Sequence, residues 1–271
     1  VEQIDWPCEL KTLFRQQNLG CGPAVSSAIT WFFDHVEAGI ILEDDCYPDL
    51  SFFPYCEELL TRYADDKQVK FIGGNNFQNG IKRGDASYYA SYYPTSWGWA
   101  SWRSTWELFN PHITDSTAVI QRGELDVIFN SPQEKTHWMK SLAKASKANA
   151  HIWDFHFYYA LWKNKSISLT PNKNLVVNLG FEEGTHFFLK DSTKTNAKLE
   201  AVEFPLVHPT SIEVNREADK YTFEHFYSHS LGRAVRLFKE NDWHSIYIYF
   251  KKRLYSRAAA VKQNAKSDNA T

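Results

Sequence analysis

Three consecutive carboxylates, Glu43-Asp44-Asp45, follow directly on the apolar run Gly39-Ile40-Ile41-Leu42. A buried charge costs several kcal/mol (order of magnitude) unless it is paired or bound to a metal, so three acids at the end of an apolar strand call for a cation or for water. Oxygen ligands of this kind select hard ions, Mg²⁺ or Mn²⁺, which in turn bridge phosphates. The plainer alternative is a solvated turn; the Ile-Ile-Leu before the acids and Cys46-Tyr47-Pro48 after them favour a site. A second acid, Asp154, stands among aromatics in Ile152-Trp153-Asp154-Phe155 at the start of a helical pattern, where it serves either as a reactive group or as an N-cap or first-turn acid. A third segment, Tyr92 to Trp102, is dense in rings and carries Gly98 between Trp97 and Trp99, a place where backbone can approach a ligand closely. Glu182 and Glu183 lie between Gly180 and Gly184, with His186 just beyond, in a stretch without clear period. His151, His156 and His208 lack the partner spacing of a zinc site.

The elements that must position these residues are legible from glycine, proline and periodicity. Gly20-Cys21-Gly22-Pro23 opens a helix whose apolar positions are Ala24, Val25, Ala28, Ile29, Phe32, Phe33 and Val36, and Gly39 closes it. Gly39 to Leu42 reads as a strand buried on both faces, followed by a helix over about 52 to 64 with Ser51 as N-cap, then a second buried strand, Val69 to Gly74. This β-α-β alternation predicts an α/β fold with a Rossmann-like, mixed and mostly parallel sheet flanked by helices, with ligands outside the carboxyl ends of its strands. Downstream, the ring-rich segment is expected to run into a helix ending near Phe109; helices follow over about 115 to 128, 133 to 148 and 153 to 163, then a strand over 166 to 170. Residues 175 to 190 read as a loop, and 216 to 262 as an amphipathic helical stretch whose last third is basic.

Composition bounds the class. The chain has 271 residues, 43% hydrophobic and 23% charged, which excludes disordered, collagen-like and coiled-coil proteins. A formal charge of -2 carries no signature of a nucleic-acid binder. Aromatic residues reach 16%, and flat apolar rings stack on sugars and bases as well as filling cores. The cysteines, Cys8, Cys21, Cys46 and Cys56, fit no C-x-x-C pattern and read as reduced thiols of a cytoplasmic protein. No apolar run approaches the roughly 18 residues needed to span a bilayer. The basic terminal stretch, with Lys251, Lys252, Arg253 and Arg257 beside Tyr247, Tyr249 and Phe250, is expected either to pack with a solvated basic face or to lie on the anionic inner membrane as a peripheral contact. Met139 is the only methionine, so a preceding segment is expected.

The run Gly20 to Phe33 followed by Gly39 to Pro48 resembles the metal-binding half of glycosyltransferases of the A-type (GT-A) fold. More narrowly it resembles bacterial sugar-nucleotide transferases related to the N-acetylglucosaminyltransferases that begin complex N-glycans, whose D-x-D-type motif is itself Glu-Asp-Asp. The resemblance spans roughly residues 1 to 210, implying a catalytic domain there and a helical extension over 211 to 271. It implies that Asp45 coordinates the divalent metal, Mn²⁺ or Mg²⁺, and that Glu43 and Asp44 contact the nucleotide ribose. It places Trp97, Gly98 and Trp99 at the donor and acceptor sugar pockets and makes Asp154 the general base of an inverting transferase. Glu183 and His186 would belong to a lid over the sugar nucleotide, with His186 near phosphate or metal. The implied partners are a nucleotide-sugar donor, a uridine diphosphate sugar first, and a glycan or lipid-linked acceptor of surface polysaccharide. Enzymes of this type begin with strands that grip the base, so either about 50 residues are expected upstream of Val1 or the molecule lacks part of that base pocket. A sugar-phosphate nucleotidyltransferase or a non-catalytic sugar-binding relic of the fold are the competing expectations.

Overall fold

The computed structural model describes residues 4–147, 152–180 and 198–228. It is an α/β protein built on a mixed five-stranded sheet with helices packed against it. Along the chain come α1 (Cys21–Phe33), β1 (Ala38–Ile41), β2 (Cys46–Pro48), α2 (Phe52–Arg62), β3 (Val69–Gly73), β4 (Tyr88–Ser91) and β5 (Trp99–Trp102). Then follow α3 (Arg103–Trp106), α4 (Ser116–Gln121), α5 (Pro132–Ala145), α6 (Asp154–Lys163), β6 (Ile167–Pro171), β7 (Val176–Asn178), α7 (Arg216–Thr222) and a π-helical turn, Phe223–Tyr227.

The strand order in the large sheet is β1-β5-β3-β6-β4. Only β3 and β6 are parallel neighbours; β1 with β5, β3 with β5 and β4 with β6 all run antiparallel. The expectation of a mostly parallel sheet is therefore corrected. β1 and β3 do point the same way, as the β-α-β pattern requires, but β5 returns from later in the chain and inserts between them in the opposite sense. The second sheet is the antiparallel pair β2 and β7, so the stretch expected to be a loop after Leu175 contains a strand.

Two apolar layers sandwich the sheet. Phe52, Tyr55, Cys56 and Leu59 of α2 pack with Val69, Ile72, Ala100 and Leu169 on one face. On the other, Phe71 and Trp99 pack with Ile29 and Phe33 of α1, Trp106 of α3, and Trp153, Phe157 and Leu161 at and within α6. A third cluster gathers α4, α5 and α6 round Trp138, Trp162, Phe129 and Tyr93. Helix starts follow local chemistry: α5 opens with a capping box in which Ser131 and Glu134 bond each other's backbone N–H, and the Asn215 side chain accepts from Ala218 N at 2.9 Å to open α7. Ser51 stands at the N-cap position of α2 without capping it, because its hydroxyl donates to Asp49 Oδ1 at 2.5 Å and accepts from Val202 N at 3.0 Å.

Residues beyond 210 are tied to this body as far as they are described. Val214 bridges Ala90 of β4, and the buried Asp219 of α7 accepts from Ser91 Oγ at 2.5 Å and Tyr92 N at 3.2 Å. Phe226 stacks on Phe77 with ring centroids 3.8 Å apart. A hydrogen-bonded chain, Glu58 to His208 (2.9 Å), His208 to Tyr88 (2.9 Å) and Tyr88 to Tyr63 (2.7 Å), fastens the segment before it to α2 and β4. Among the described residues no helix is long and apolar enough to cross a membrane. The basic stretch with Lys251, Lys252, Arg253 and Arg257 lies outside the described residues.

Candidate functional site

The Glu43-Asp44-Asp45 turn sits at the carboxyl end of β1, closed by a bond from Cys46 N to the Glu43 carbonyl at 3.0 Å. Turn and strand β2 are clamped from the far side of the sequence. Leu179 N donates to the Asp45 carbonyl at 2.7 Å and Asp49 N to the Leu175 carbonyl at 2.8 Å, flanking the three β2–β7 pairs. The Cys46 thiol is pushed up to about 12 by burial and accepts from the backbone N–H groups of Glu43 and Gly98, so it is a fixed internal prop of the turn.

Asp154 reaches the same place by a different route. It is the first residue of α6, half-buried, with Oδ1 accepting from Phe155 N at 2.9 Å. Glu43 is pushed up to about 7, first by burial and then by the charges of Asp45, Asp154 and Asp44, against a hydrogen bond from the Trp153 indole that favours its ionised form. The same four acids, after burial, push up the thiol of Cys21 at the start of α1. Tyr158 and Tyr227 are also raised, chiefly by burial and then by Asp154, and Ser96 donates to the Tyr158 oxygen. Four carboxylates from two distant segments thus share one electrostatic neighbourhood, lined by α1, the β1 turn, the start of α6 and the π-helical turn. Among the described residues no three His, Cys, Asp or Glu side chains are gathered closely enough to hold a metal ion by themselves.

Two glycines shape the floor. Gly98 has φ +66°, and a Cβ there would come within 2.8 Å of Val176 Cγ2 and 3.0 Å of Leu42 Cδ2. Gly180 approaches the Asp45 carboxylate so closely that a Cβ would lie 2.5 Å from Oδ2. Any side chain at residue 180 would crowd that oxygen.

The aromatic residues divide. Trp97 is half-buried, with its ring edge-on to Phe77 at 5.1 Å. Trp99 is fully buried, stacked between Phe71 (5.2 Å) and Trp153 (5.9 Å), so its ring belongs to the core rather than to an open sugar pocket. An open apolar groove of about 430 Å³ between α1 and β1, walled by Val25, Ile29, Phe32 and Ile40, ends at Glu43 and Asp44. Glu183 and His186 lie outside the described residues. The remaining histidines have structural partners: His208 is in the chain to Tyr88 and Glu58, and His156 is buried, which pushes it down toward the neutral form. Sequence reasoning missed Tyr158 and Tyr227, which meet Asp154 only in the fold. No protein-family model matches this chain, and no curated protein does.

Proposed function

We propose that this protein is a metal-dependent, inverting glycosyltransferase of the GT-A type that moves a sugar from a nucleotide diphosphate onto a hydroxyl of a glycan or lipid-linked acceptor. The observation that carries this reading is the convergence of the Glu43-Asp44-Asp45 turn with Asp154 at the carboxyl end of β1 and the head of α6. A solvated turn and a helix-capping acid, the plainer alternatives, give no reason for the two to meet.

The residues present fit a hard divalent cation. Asp45 offers a carboxylate whose Oδ2 no side chain of residue 180 crowds, and the exposed Asp44 is its neighbour in the turn. Mg²⁺ and Mn²⁺ are commonly held by one or two carboxylates, with waters and substrate phosphates completing the shell, so three closely gathered protein ligands are not required. When bound, such a cation neutralises charge on the departing diphosphate. Asp154 accepts the proton of the acceptor hydroxyl as that oxygen bonds to the anomeric carbon, while the bond from that carbon to the diphosphate oxygen breaks and carries its electron pair away. Attack from the face opposite the leaving group inverts the anomeric configuration. Trp97 gives a sugar ring a flat face to lie on, and Glu43 and Asp44 are placed for ribose hydroxyls.

Calorimetric titration of uridine and guanosine diphosphates with and without Mn²⁺ tests the reading. Metal-dependent binding that Asp45→Asn abolishes and Asp154→Asn preserves is the expected result, together with a turnover loss of about 10²- to 10⁴-fold in Asp154→Asn. Unchanged turnover in Asp154→Asn would remove the base from the mechanism, and metal-independent binding would remove the cation.

A further inference from the structure

The fully buried carboxyl of Asp219 takes no part in the chemistry proposed above. It lies where α7 meets β4, with Oδ1 accepting from Ser91 Oγ at 2.5 Å and Oδ2 from Tyr92 N at 3.2 Å, while Ser91 Oγ in turn accepts from Tyr93 N at 2.9 Å. The charged and titratable groups facing it are Arg216 of its own helix, with Nη1 3.8 Å away, the phenols of Tyr89 in β4 and Tyr93 just beyond that strand, and Glu134 of α5. Arg216 is a divided partner, because it also donates to the carbonyls of Val127 and Ile128 and lies over the Tyr92 ring. Burial pushes Asp219 up to about 7 against the pull of its two hydrogen bonds and Arg216, and Glu134 pushes the same way as burial.

Little apolar surface seats α7. The side chains it buries are Ala218, Asp219 and Thr222, of which the first alone is apolar. Its other ties are polar: Gln78 Nε2 donates to the Ala218 carbonyl at 3.2 Å and to Thr222 Oγ1 at 2.8 Å, and Asn215 N to the Ala90 carbonyl at 2.8 Å. A short helix with few buried apolar contacts is the kind of unit that opens by itself, at a free energy below that of global unfolding. The π-helical turn continues α7 without a break and closes with a bond from Ser228 N to the Phe223 carbonyl at 2.8 Å. Phe223 and Phe226 anchor it by their rings, but its backbone register is inherited from α7, and it carries Tyr227 to Asp154. We propose that the junction of α7 with β4 is a pH-sensitive latch on one wall of the candidate site: with Asp219 protonated α7 stays seated on Ser91 and Tyr92, and with Asp219 ionised α7 lifts and the π-helical turn no longer holds Tyr227 beside Asp154. The latch does not depend on the transferase reading.

Hydrogen exchange read by mass spectrometry tests it, in the wild-type chain and in Asp219→Asn, with rates corrected for the intrinsic pH dependence of exchange. A carboxyl that is protonated when seated and ionised when released makes the opening constant rise by up to about ten-fold per pH unit until the seated group itself ionises, and level off above that. The expected result is that peptides covering 214–222 and 223–228 lose protection by about ten-fold or more between roughly pH 5 and pH 7.5 in the wild type and by less than about two-fold in Asp219→Asn, while peptides from α2 and β3 keep theirs in both. Protection in 214–228 that does not change with pH in the wild type overturns the proposal, and this arm stands by itself if the variant does not fold. The same fall in Asp219→Asn would assign it to another group and overturn the latch. Protection lost equally in α2, β3 and α7 would show that the charge is relieved only by global unfolding, which also overturns it. Protection lost in 214–222 but kept in 223–228 would overturn the link to Tyr227.

Discussion

Replacing Asp219 by Asn should change how stability depends on pH far more than it changes stability itself. The carboxyl is wholly buried where α7 meets β4, accepting from Ser91 Oγ and Tyr92 N, with Arg216 Nη1 at 3.8 Å. Burial pushes it up from the ordinary 3.8 to about 7, with the two hydrogen bonds and Arg216 pulling it back and Glu134 pushing further. A folded-state pKa above the unfolded one means that the native chain holds a proton which the unfolded chain has released. This contribution is therefore fully present below the unfolded pKa and is lost as pH rises through the folded one. Each unit corresponds to about 1.4 kcal/mol, so the interval from 3.8 to about 7 amounts to ~4 kcal/mol for this group, with no solvent screening at a fully buried site. Urea unfolding at a series of pH values, for wild type and Asp219→Asn, isolates it: the wild type should lose about 3 kcal/mol relative to the variant between roughly pH 4.5 and 7. The midpoint of that loss should follow Asp219, since the other acids titrate alike in both chains. A wild-type-minus-variant difference flat to within about 0.5 kcal/mol across that range would refute the reasoning, showing that the carboxylate is ionised and compensated where it lies.

Gly98→Ala should cost about 2–4 kcal/mol, from a left-handed backbone and from a Cβ forced to 2.8 Å of Val176 Cγ2, and should show as a lower urea midpoint with an unchanged slope. Gly180→Ala should leave the melting temperature nearly unchanged and weaken Mn²⁺-dependent diphosphate binding by about ten-fold or more, because the added methyl crowds Asp45 Oδ2; equal binding would show that this oxygen does not face the ion. Trp99→Ala should destabilise by about 3–5 kcal/mol in thermal or urea melts, since the ring is fully buried between Phe71 and Trp153.

The parts of this architecture that the sequence displays are those whose cause is local. Helices α1 and α2 announce themselves by period and by Gly20, Gly22 and Pro23, and β1 and β3 by short apolar runs with glycine at or beside them. The acids after β1 stand out because charge directly follows Ile-Ile-Leu. Strands β4 and β5 are not legible: both are buried on every residue, so they show no alternation, and the Trp content of β5 reads as a binding segment instead of as strand residues. β7 is three residues long and exists because β2 pairs with it, a contact no window of sequence contains. The resemblance drew Asp154 toward Asp45, but it set Trp99 in a sugar pocket, whereas its register opposite Gly73 turns the ring into the core.

The burial of α6 has a consequence for how this protein might be redesigned. From Phe157 to Trp162 every side chain of the helix is buried, with Phe157 and Leu161 in the sheet-side cluster and Tyr158, Tyr159 and Trp162 in the helical one. Asp154, at the head of that helix, is thus bolted to two cores at once, whereas Trp97 and Phe226 lie on separate stretches of chain joined through Phe77. Libraries that randomise those stretches should leave Asp154 in its place, whereas libraries that randomise α6 should yield mostly unfolded chains.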